Sequence, residues 1–186
     1  MATYLALLRG INVSGQNSIR MAELRDSFSA LGYAEVETYL QSGNVVFNAG
    51  TADEEKLAAA IQSRIDKDFG YQVPVLVISA AELDFIASSN SLWPKNGDDE
   101  KLFHATFLFQ AVSAASFKML KLPAAAGEQA VLSGRVVLLH CPHGYGKTKL
   151  NNSYFERVLK VPATTRNWRT VRALQALCAE HGGVNK

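Results

Sequence analysis

One order of predicted strands and helices occurs twice in this chain, and this repeat constrains the fold more than any other feature. In the first half, strand patterns and amphipathic helix patterns follow one another as β-α-β-β-α-β, with one further helix. The second half has the same order, and each half has a Ser-Gly turn between adjacent strands, at Ser42-Gly43 and at Ser133-Gly134. This is the split βαβ pattern. It predicts an α+β protein of two tandem ferredoxin-like (βαββαβ) subdomains, each with an extra C-terminal helix; a single larger α+β domain is the alternative.

The two predicted halves are separated by a polar stretch, residues 88–99, with the sequence SSNSLWPKNGDD. Clusters of Ser, Asn, Gly and Asp between periodic segments are typical of loops. We therefore expect an N-terminal subdomain at residues 1–92 and a C-terminal subdomain at residues 100–186.

Basic residues are concentrated late in the sequence, at residues 135–172. This segment holds eight basic side chains and one acidic side chain, Glu156, whereas residues 1–134 hold ten basic and fifteen acidic ones. The formal net charge of the whole chain is only +2. The uneven distribution favours an anionic partner for the basic segment. The alternative is a solvated basic surface that is offset by an acidic one.

Within the basic segment, Gly144 to Leu150 (GYGKTKL) connects an apolar strand pattern to a predicted helix. It is similar to the end of a P-loop, but that pattern needs a glycine at the position of Cys141. A nucleotide-hydrolysing P-loop is therefore not expected. Backbone N–H groups of a glycine loop and of a helix N-terminus nevertheless attract anions. We expect either an anion site or a plain connecting loop, and the candidate binding residues are Lys147, Thr148 and Lys149.

The helix after this loop is predicted to begin with a capping box. Ser153 and Glu156 have the three-residue spacing at which the two side chains satisfy each other's backbone N–H groups. The helix then continues through Phe155 and Leu159, which have the four-residue spacing of one helix face.

A second glycine-bearing loop, Gly10 to Asn17 (GINVSGQN), follows the first predicted strand. Its two glycines have the P-loop spacing, but a Gln-Asn pair stands where that pattern has Lys and Ser or Thr. Arg9 and Asn12 are the polar candidates for binding an anion here. The alternative is that the glycines only permit a positive φ.

Residues 164–169 (TTRNWR) combine hydroxyl, guanidinium, amide and indole groups. Arginine side chains suit phosphate or carboxylate groups, and an arginine can also stack on a base. Arg166, Asn167 and Arg169 are therefore candidate binding residues. The alternative is that Thr165 or Asn167 caps the last helix while Trp168 is buried.

Several classes of function are not expected. The sequence His140-Cys141-Pro142-His143 has no fourth ligand at a recognisable spacing, so we predict no metal site, and we predict no cofactor. No nucleophile motif or strong general base stands out, so no catalytic residue is assigned. The N-terminus lacks the pattern of a signal peptide, and no apolar run reaches the length of a membrane helix. We expect a cytoplasmic protein without a membrane partner.

Four stretches together resemble a known bacterial family, domain of unknown function 1697. They are LLRGINVSGQN at residues 7–17, TYLQSGNVVF at 38–47, GYGKTKL at 144–150 and ATTRNWRTV at 163–171. The resemblance implies two ferredoxin-like α/β halves, and it implies no established activity, substrate or catalytic residue. Where the family often has a second glycine and a lysine in the first loop, this chain has Ser14 and Gln16. Anion binding at the first loop is therefore expected to be weaker here.

These observations predict a protein that binds an anionic, phosphate-bearing small ligand or nucleotide at its glycine-rich strand–loop–helix junctions. One alternative is an enzyme with a site between the subdomains that acts on an acidic substrate, with Tyr145 or His143 moving protons. Another is a single-stranded nucleic-acid binding protein or a structural oligomer. Nucleic acid is not favoured, because the RRM signature is absent and the net charge is modest.

Overall fold

The computed structural model describes residues 1–50, 53–93 and 99–183. The strands are β1 (Ala2–Leu8), β2 (Ala34–Tyr39), β3 (Asn44–Ala49), β4 (Val75–Ser79), β5 (Phe103–Leu108), β6 (Gln129–Ser133), β7 (Val136–His140) and β8 (Ala163–Asn167). The helices are α1 (Met21–Ser29), α2 (Glu54–Phe69), α3 (Ala80–Ser88), α4 (Ala114–Lys118), α5 (Asn152–Leu159) and α6 (Trp168–Gly183). Short 3₁₀ turns lie at Glu100–Leu102 and Tyr145–Lys147.

The strands form two four-stranded sheets, in the orders β2-β3-β1-β4 and β6-β7-β5-β8. Every strand pair in both sheets is antiparallel. The predicted α+β class is therefore confirmed, with two four-stranded antiparallel sheets and six α-helices among the described residues. Residues 94–98, within the predicted linker, lie outside the described residues.

The chain divides into two compact units. The first unit comprises Met1–Phe85 together with the C-terminal residues from Ala173, and the second comprises Ile86–Arg172. The C-terminal part of α6 is thus grouped with the first unit.

The core of the first unit lies between one face of its sheet and the helices α1 and α2. Alternate residues of β1, such as Tyr4, Ala6 and Leu8, are buried in it, because successive side chains of a strand point to opposite faces. Helix α2 contributes Leu57 and Ile61, which recur at the four-residue spacing of one helix face.

The core of the second unit has the same construction. Leu108 of β5 and Leu139 of β7 pack with Phe117 of α4 and Phe155 of α5. Leu150, which precedes α5, is fully buried in the same cluster and anchors the β7–α5 connection to the core.

Both predicted two-residue hairpin turns differ in the structure: the first is lengthened to four residues, and the second is shifted by one residue. Residues 40–43 connect β2 to β3, and Gly134-Arg135 connect β6 to β7. In the first hairpin, Gly43 has a φ of +82° and its carbonyl oxygen accepts a 2.8 Å hydrogen bond from the Leu8 N–H. The second hairpin has the equivalent contact, a 2.8 Å hydrogen bond from the Leu108 N–H to the Arg135 carbonyl oxygen.

None of the helices in the described ranges is both long enough and apolar enough to cross a membrane.

Candidate functional site: a basic groove beside α4 and α5

The loop between β7 and α5 alternates between buried and exposed residues. Thr148 is buried, and its hydroxyl accepts a 3.0 Å hydrogen bond from the Leu150 N–H. Lys147 and Lys149, on either side of it, are exposed. The backbone of Thr148 is extended, so its neighbours point the opposite way. Thr148 therefore holds the loop, and the two lysines face solvent.

Helix α5 begins earlier than the capping box predicted. The Asn151 side chain accepts a 3.0 Å hydrogen bond from the Tyr154 N–H and caps the helix. Glu156 instead accepts a 3.0 Å hydrogen bond from the Ala163 N–H, so the predicted pairing of Ser153 with Glu156 is wrong. Because Asn151 is the cap, the N-terminus of α5 lies only two residues beyond Lys149, and it has no acidic residue in its first turn.

A cavity of about 710 Å³ opens beside this helix terminus. Its lining comes from the C-terminal end of α4, the segment after it, the loop before α5 and α5 itself. We call it the α4–α5 groove, and its lining residues are Met119, Leu120, Lys121, Pro123, Lys149, Asn151, Ser153, Tyr154, Arg157 and Val158. The charged side chains among these lining residues, Lys121, Lys149 and Arg157, are all cationic.

Tyr154 connects the two sides of the groove. Its hydroxyl donates a 3.0 Å hydrogen bond to the carbonyl oxygen of Lys121, which lies 33 residues earlier in the chain. The guanidinium carbon of Arg157 lies 5.5 Å from the centroid of the Tyr154 ring, within the range of a cation–π interaction. One side chain thus holds the segment after α4 against α5 and positions Arg157.

Two carboxylates that are close in sequence to the groove residues accept hydrogen bonds from backbone N–H groups. Glu128 is buried, and its side chain accepts a 2.9 Å hydrogen bond from the Ala125 N–H. Glu156 is bound to the Ala163 N–H, as described above. Neither residue lines the groove, so the three cations there are not paired with a carboxylate from the lining.

Arg166 is buried within the second unit. Its guanidinium donates hydrogen bonds to the Thr164 hydroxyl at 2.8 Å and to the Thr165 carbonyl oxygen at 3.1 Å. Burial lowers its pKa to about 10. The side chain therefore braces its own strand, β8, and does not line the groove.

Asn167 caps α6, as one of the alternatives from the sequence predicts. Its side-chain oxygen accepts a 3.0 Å hydrogen bond from the Arg169 N–H, while its amide nitrogen donates to the Lys101 carbonyl oxygen at 3.2 Å. Trp168 is buried and Arg169 is exposed. Of the three candidates in this stretch, only Arg169 extends into solvent.

A buried polar cluster on the second sheet was not identified from the sequence. His104 stacks on the Tyr145 ring with 4.6 Å between centroids, and burial lowers its pKa to about 4. The hydroxyls of Thr106 and Thr165 lie 2.7 Å apart, and Thr165 donates a 2.6 Å hydrogen bond to the Asn152 side chain. Strand alternation puts these β5 and β8 residues on one face, which is the signal that could have revealed the cluster.

Tyr145 and His143, the proton carriers of the enzyme alternative, both have contacts within the second unit. Burial raises the pKa of Tyr145, which a hydrogen bond to Thr165 partly offsets. A ring nitrogen of His143 lies 2.9 Å from the carbonyl oxygen of Ala126. These contacts join the β7–α5 loop to the sheet and to the segment before β6.

The first glycine-bearing loop is held by Asn12. Its side-chain nitrogen donates to the carbonyl oxygens of Ile19 at 3.0 Å and Gln41 at 2.9 Å, and its side-chain oxygen accepts from the Ile19 N–H at 2.8 Å. Asn12 also has a φ of +53°. Its amide is thus used to brace the loop. Arg9 is half-buried, and its backbone N–H donates a 2.9 Å hydrogen bond to the Pro74 carbonyl oxygen.

Comparison with known proteins indicates what this chain resembles. No curated protein shows significant sequence similarity to it. A solved structure, that of a conserved bacterial protein from Streptococcus pneumoniae, is similar with a TM-score of 0.72 and 24% sequence identity, over 95% of this chain and 98% of that one. At this identity the similarity shows the fold alone.

The family model described as Protein of unknown function (DUF1697) matches residues 1–138. The match covers the whole first sheet, together with β5, β6 and the first part of β7 in the second sheet. It ends before the loop that lines the groove. It confirms the resemblance found in the sequence. The chain therefore belongs to the DUF1697 family of proteins of unknown function.

Proposed function

We propose that this protein binds a phosphate-bearing small ligand in the α4–α5 groove. The observation that supports this function is the charge of the lining: Lys121, Lys149 and Arg157 are its charged side chains, and all three are cations. The N-terminus of α5 lies at the same place and adds the positive end of a helix dipole.

The groove residues have different parts in binding. Lys121 and Lys149 act as mobile point charges, while Arg157 offers a planar group that can bind two phosphate oxygens at once. Ser153, in the first turn of α5, adds a hydroxyl that can donate to phosphate. Tyr154 has a supporting part, because its hydrogen bond to Lys121 keeps the two walls together.

The other residues proposed from the sequence act around this groove. Thr148 orients Lys149 by fixing the loop, and Lys147 adds positive charge beside it. Arg166 and Asn167 stabilise β8 and the start of α6, and Arg169 contributes to the positive field of the second unit. Asn12 and Arg9 belong to the first loop, where the Asn12 amide is already used by the backbone.

We also propose that each sheet with its helices is a ferredoxin-like subdomain. The strand orders support this, because in both sheets the first and third strands of the half are central, and the second and fourth are at the edges.

Calorimetric titration with pyrophosphate and with a nucleoside triphosphate tests the proposed function. We expect binding at about 0.01 M ionic strength that weakens at about 0.15 M, because the Debye length falls from about 30 Å to about 8 Å. Lys149→Glu should lower the affinity by about tenfold or more, since it removes one attraction and adds a repulsion at the ligand.

Lys118→Glu is the matched control, because Lys118 is an exposed lysine at the end of α4 that does not line the groove. It changes the net charge by the same amount. Absence of binding at low ionic strength, or equal loss of affinity in the two variants, would contradict a phosphate site in this groove.

A further inference from the structure

We propose that the ligand of the α4–α5 groove is a nucleoside phosphate, with its base against the apolar wall and its phosphate at Lys149 and the α5 N-terminus. This inference rests on the proposed function and narrows the ligand from any phosphate to one joined to a flat aromatic group. The inference is based on the apolar residues of the lining, which a purely ionic phosphate site would not require.

This part of the lining is an apolar wall, which the binding of inorganic phosphate does not need. Met119, Leu120, Pro123 and Val158 supply it, alongside the ring of Tyr154. Phosphate alone would leave these side chains in contact with water. A ligand that carries an apolar or aromatic group beside its phosphate would cover them and gain from their burial.

Met119 is the most exposed member of the wall, with 87% of its surface accessible. A large apolar side chain at the rim of a cationic groove is available to pack on a bound ligand. Methionine suits this use, because its flexible thioether adapts to different shapes and makes favourable contacts with aromatic rings.

Arg157 favours an aromatic group over an aliphatic one. Its guanidinium lies above the Tyr154 ring, and the residue is exposed. A guanidinium held in this way can stack on the face of a base, whereas an alkyl chain gains nothing from its charge. The positioning by Tyr154 reduces the side-chain entropy that such stacking would otherwise cost.

The shape of the groove favours the same ligand. With Met119 and Lys149 both exposed, the groove is open to solvent, so a flexible alkyl chain would remain largely in water. A base is flat, and one wall is enough to cover one of its faces. A volume of about 710 Å³ and three cations suit a single nucleotide better than a long nucleic-acid strand, which needs a continuous basic track.

Calorimetric titration at low ionic strength with three kinds of phosphate tests this inference. These are the adenosine, guanosine, cytidine and uridine 5′-monophosphates, ribose 5-phosphate, and octyl phosphate. We expect at least one nucleotide to bind about tenfold more tightly than ribose 5-phosphate, as the stacking of one base on a protein side chain usually provides. Octyl phosphate should bind no more tightly than ribose 5-phosphate.

Two variants test the assignment of the wall. Arg157→Lys keeps the charge and removes the planar group, and Met119→Ser removes the apolar rim; both sites are exposed, so neither change should prevent folding. Met119→Ser should weaken nucleotide binding about fivefold or more, while ribose 5-phosphate affinity stays within about twofold. Arg157→Lys also loses the two-oxygen contact with phosphate, so it should weaken binding of both ligands, and the nucleotide by the larger factor. The control is Lys118→Ala, which should alter neither the nucleotide affinity nor the ribose 5-phosphate affinity.

The outcomes separate this inference from the proposed function. If all four nucleotides bind no more tightly than ribose 5-phosphate, or if octyl phosphate binds best, the base assignment is wrong while a phosphate site remains. Failure of every phosphate to bind at low ionic strength would overturn both.

Discussion

At the scale of single residues, the neighbours of His104 determine its tautomer. The side-chain oxygen of Asn167 is held by the Arg169 N–H, so its amide nitrogen is the atom that lies 3.3 Å from Nε2 of His104. When the ring is neutral, Nε2 accepts this hydrogen bond, which puts the ring proton on Nδ1, a buried nitrogen without a hydrogen-bond partner among the described residues. Protonation of Nε2 would bring two donors together in a buried place. This arrangement agrees with the pKa of about 4 that burial produces.

Protein stability should consequently fall as the pH is lowered from about 6.5 to about 4. The pKa of His104 drops from 6.5 in the unfolded chain to about 4 in the folded one, so only the unfolded chain binds a proton in this window. The stabilisation is complete above the upper value and is lost as pH falls toward the lower one. Its size is on the order of 3 kcal/mol, from about 1.4 kcal/mol per pKa unit.

Urea unfolding at intervals between pH 4 and pH 7 measures this effect. His104→Gln keeps a polar side chain but cannot titrate, so its free energy of unfolding should change less over the window than that of the natural protein. Parallel curves for the two proteins would show that another group causes the dependence.

At the scale of elements, the two hairpins place their glycines in different surroundings. A Cβ atom on Gly43 would lie 2.7 Å from the Cβ of Leu8, closer than side-chain carbons approach in proteins. A Cβ atom on Gly134 would meet no atom within 4 Å. Both residues have a positive φ, +82° and +58° respectively. Both turns accept a backbone hydrogen bond from the neighbouring strand, Gly43 from Leu8 and Arg135 from Leu108, but only at Gly43 would an added Cβ atom meet that strand.

Replacing each glycine with alanine separates backbone strain from packing. Gly134→Ala should lower the free energy of unfolding by about 1–2 kcal/mol, the usual cost of a left-handed conformation. Gly43→Ala should cost about 1–3 kcal/mol more, because β1 must also move away. Chemical denaturation of the two variants measures the difference, and equal losses would mean that the approach of Leu8 relaxes without cost.

The order of the elements could be predicted because strand alternation and helix periodicity are local. Leu57, Ile61 and Ile65 are buried on one face of α2, as their four-residue spacing indicates. The close approach of Gly43 to Leu8 could not be predicted in this way, because Leu8 is 35 positions earlier in the chain.

The same limit applies to the candidate site. Lys149 is identifiable from its glycine-rich loop, whereas the burial of Thr148, which the sequence offers as a binding candidate, is seen only in the structure. Lys121 and Arg157 could not be recognised as partners, because a tertiary contact through Tyr154 brings their segments together. The capping box that the spacing of Ser153 and Glu156 predicts does not form, because Asn151 caps the helix and Glu156 accepts from the Ala163 N–H instead.

At the scale of the whole molecule, the first unit is built from both ends of the chain. Leu174 and Cys178 of α6 are buried, and Gln175 donates a 2.7 Å hydrogen bond to Asp84. A ring nitrogen of His181 lies 3.1 Å from a carboxylate oxygen of Glu37. The C-terminal residues therefore contribute both apolar and polar contacts.

A chain that ends at Arg172 should have a less stable first unit. Loss of a buried leucine such as Leu174 alone removes about 1.5–3 kcal/mol of burial free energy. Hydrogen exchange at the amides of β1 and β3, compared with the full chain, measures the loss in the first unit. Unchanged protection of these strands would contradict a stabilising contribution from the C-terminal residues.

This use of both chain ends has a consequence for biosynthesis. A ribosome makes the chain from its N-terminus, so residues 1–85 emerge well before residues from 173 onward. At about 5–20 residues per second, the delay is roughly 5–20 s. During that time the residues of the first sheet lack the helix segment that completes their unit. Apolar surface that this segment covers is then open to a chaperone.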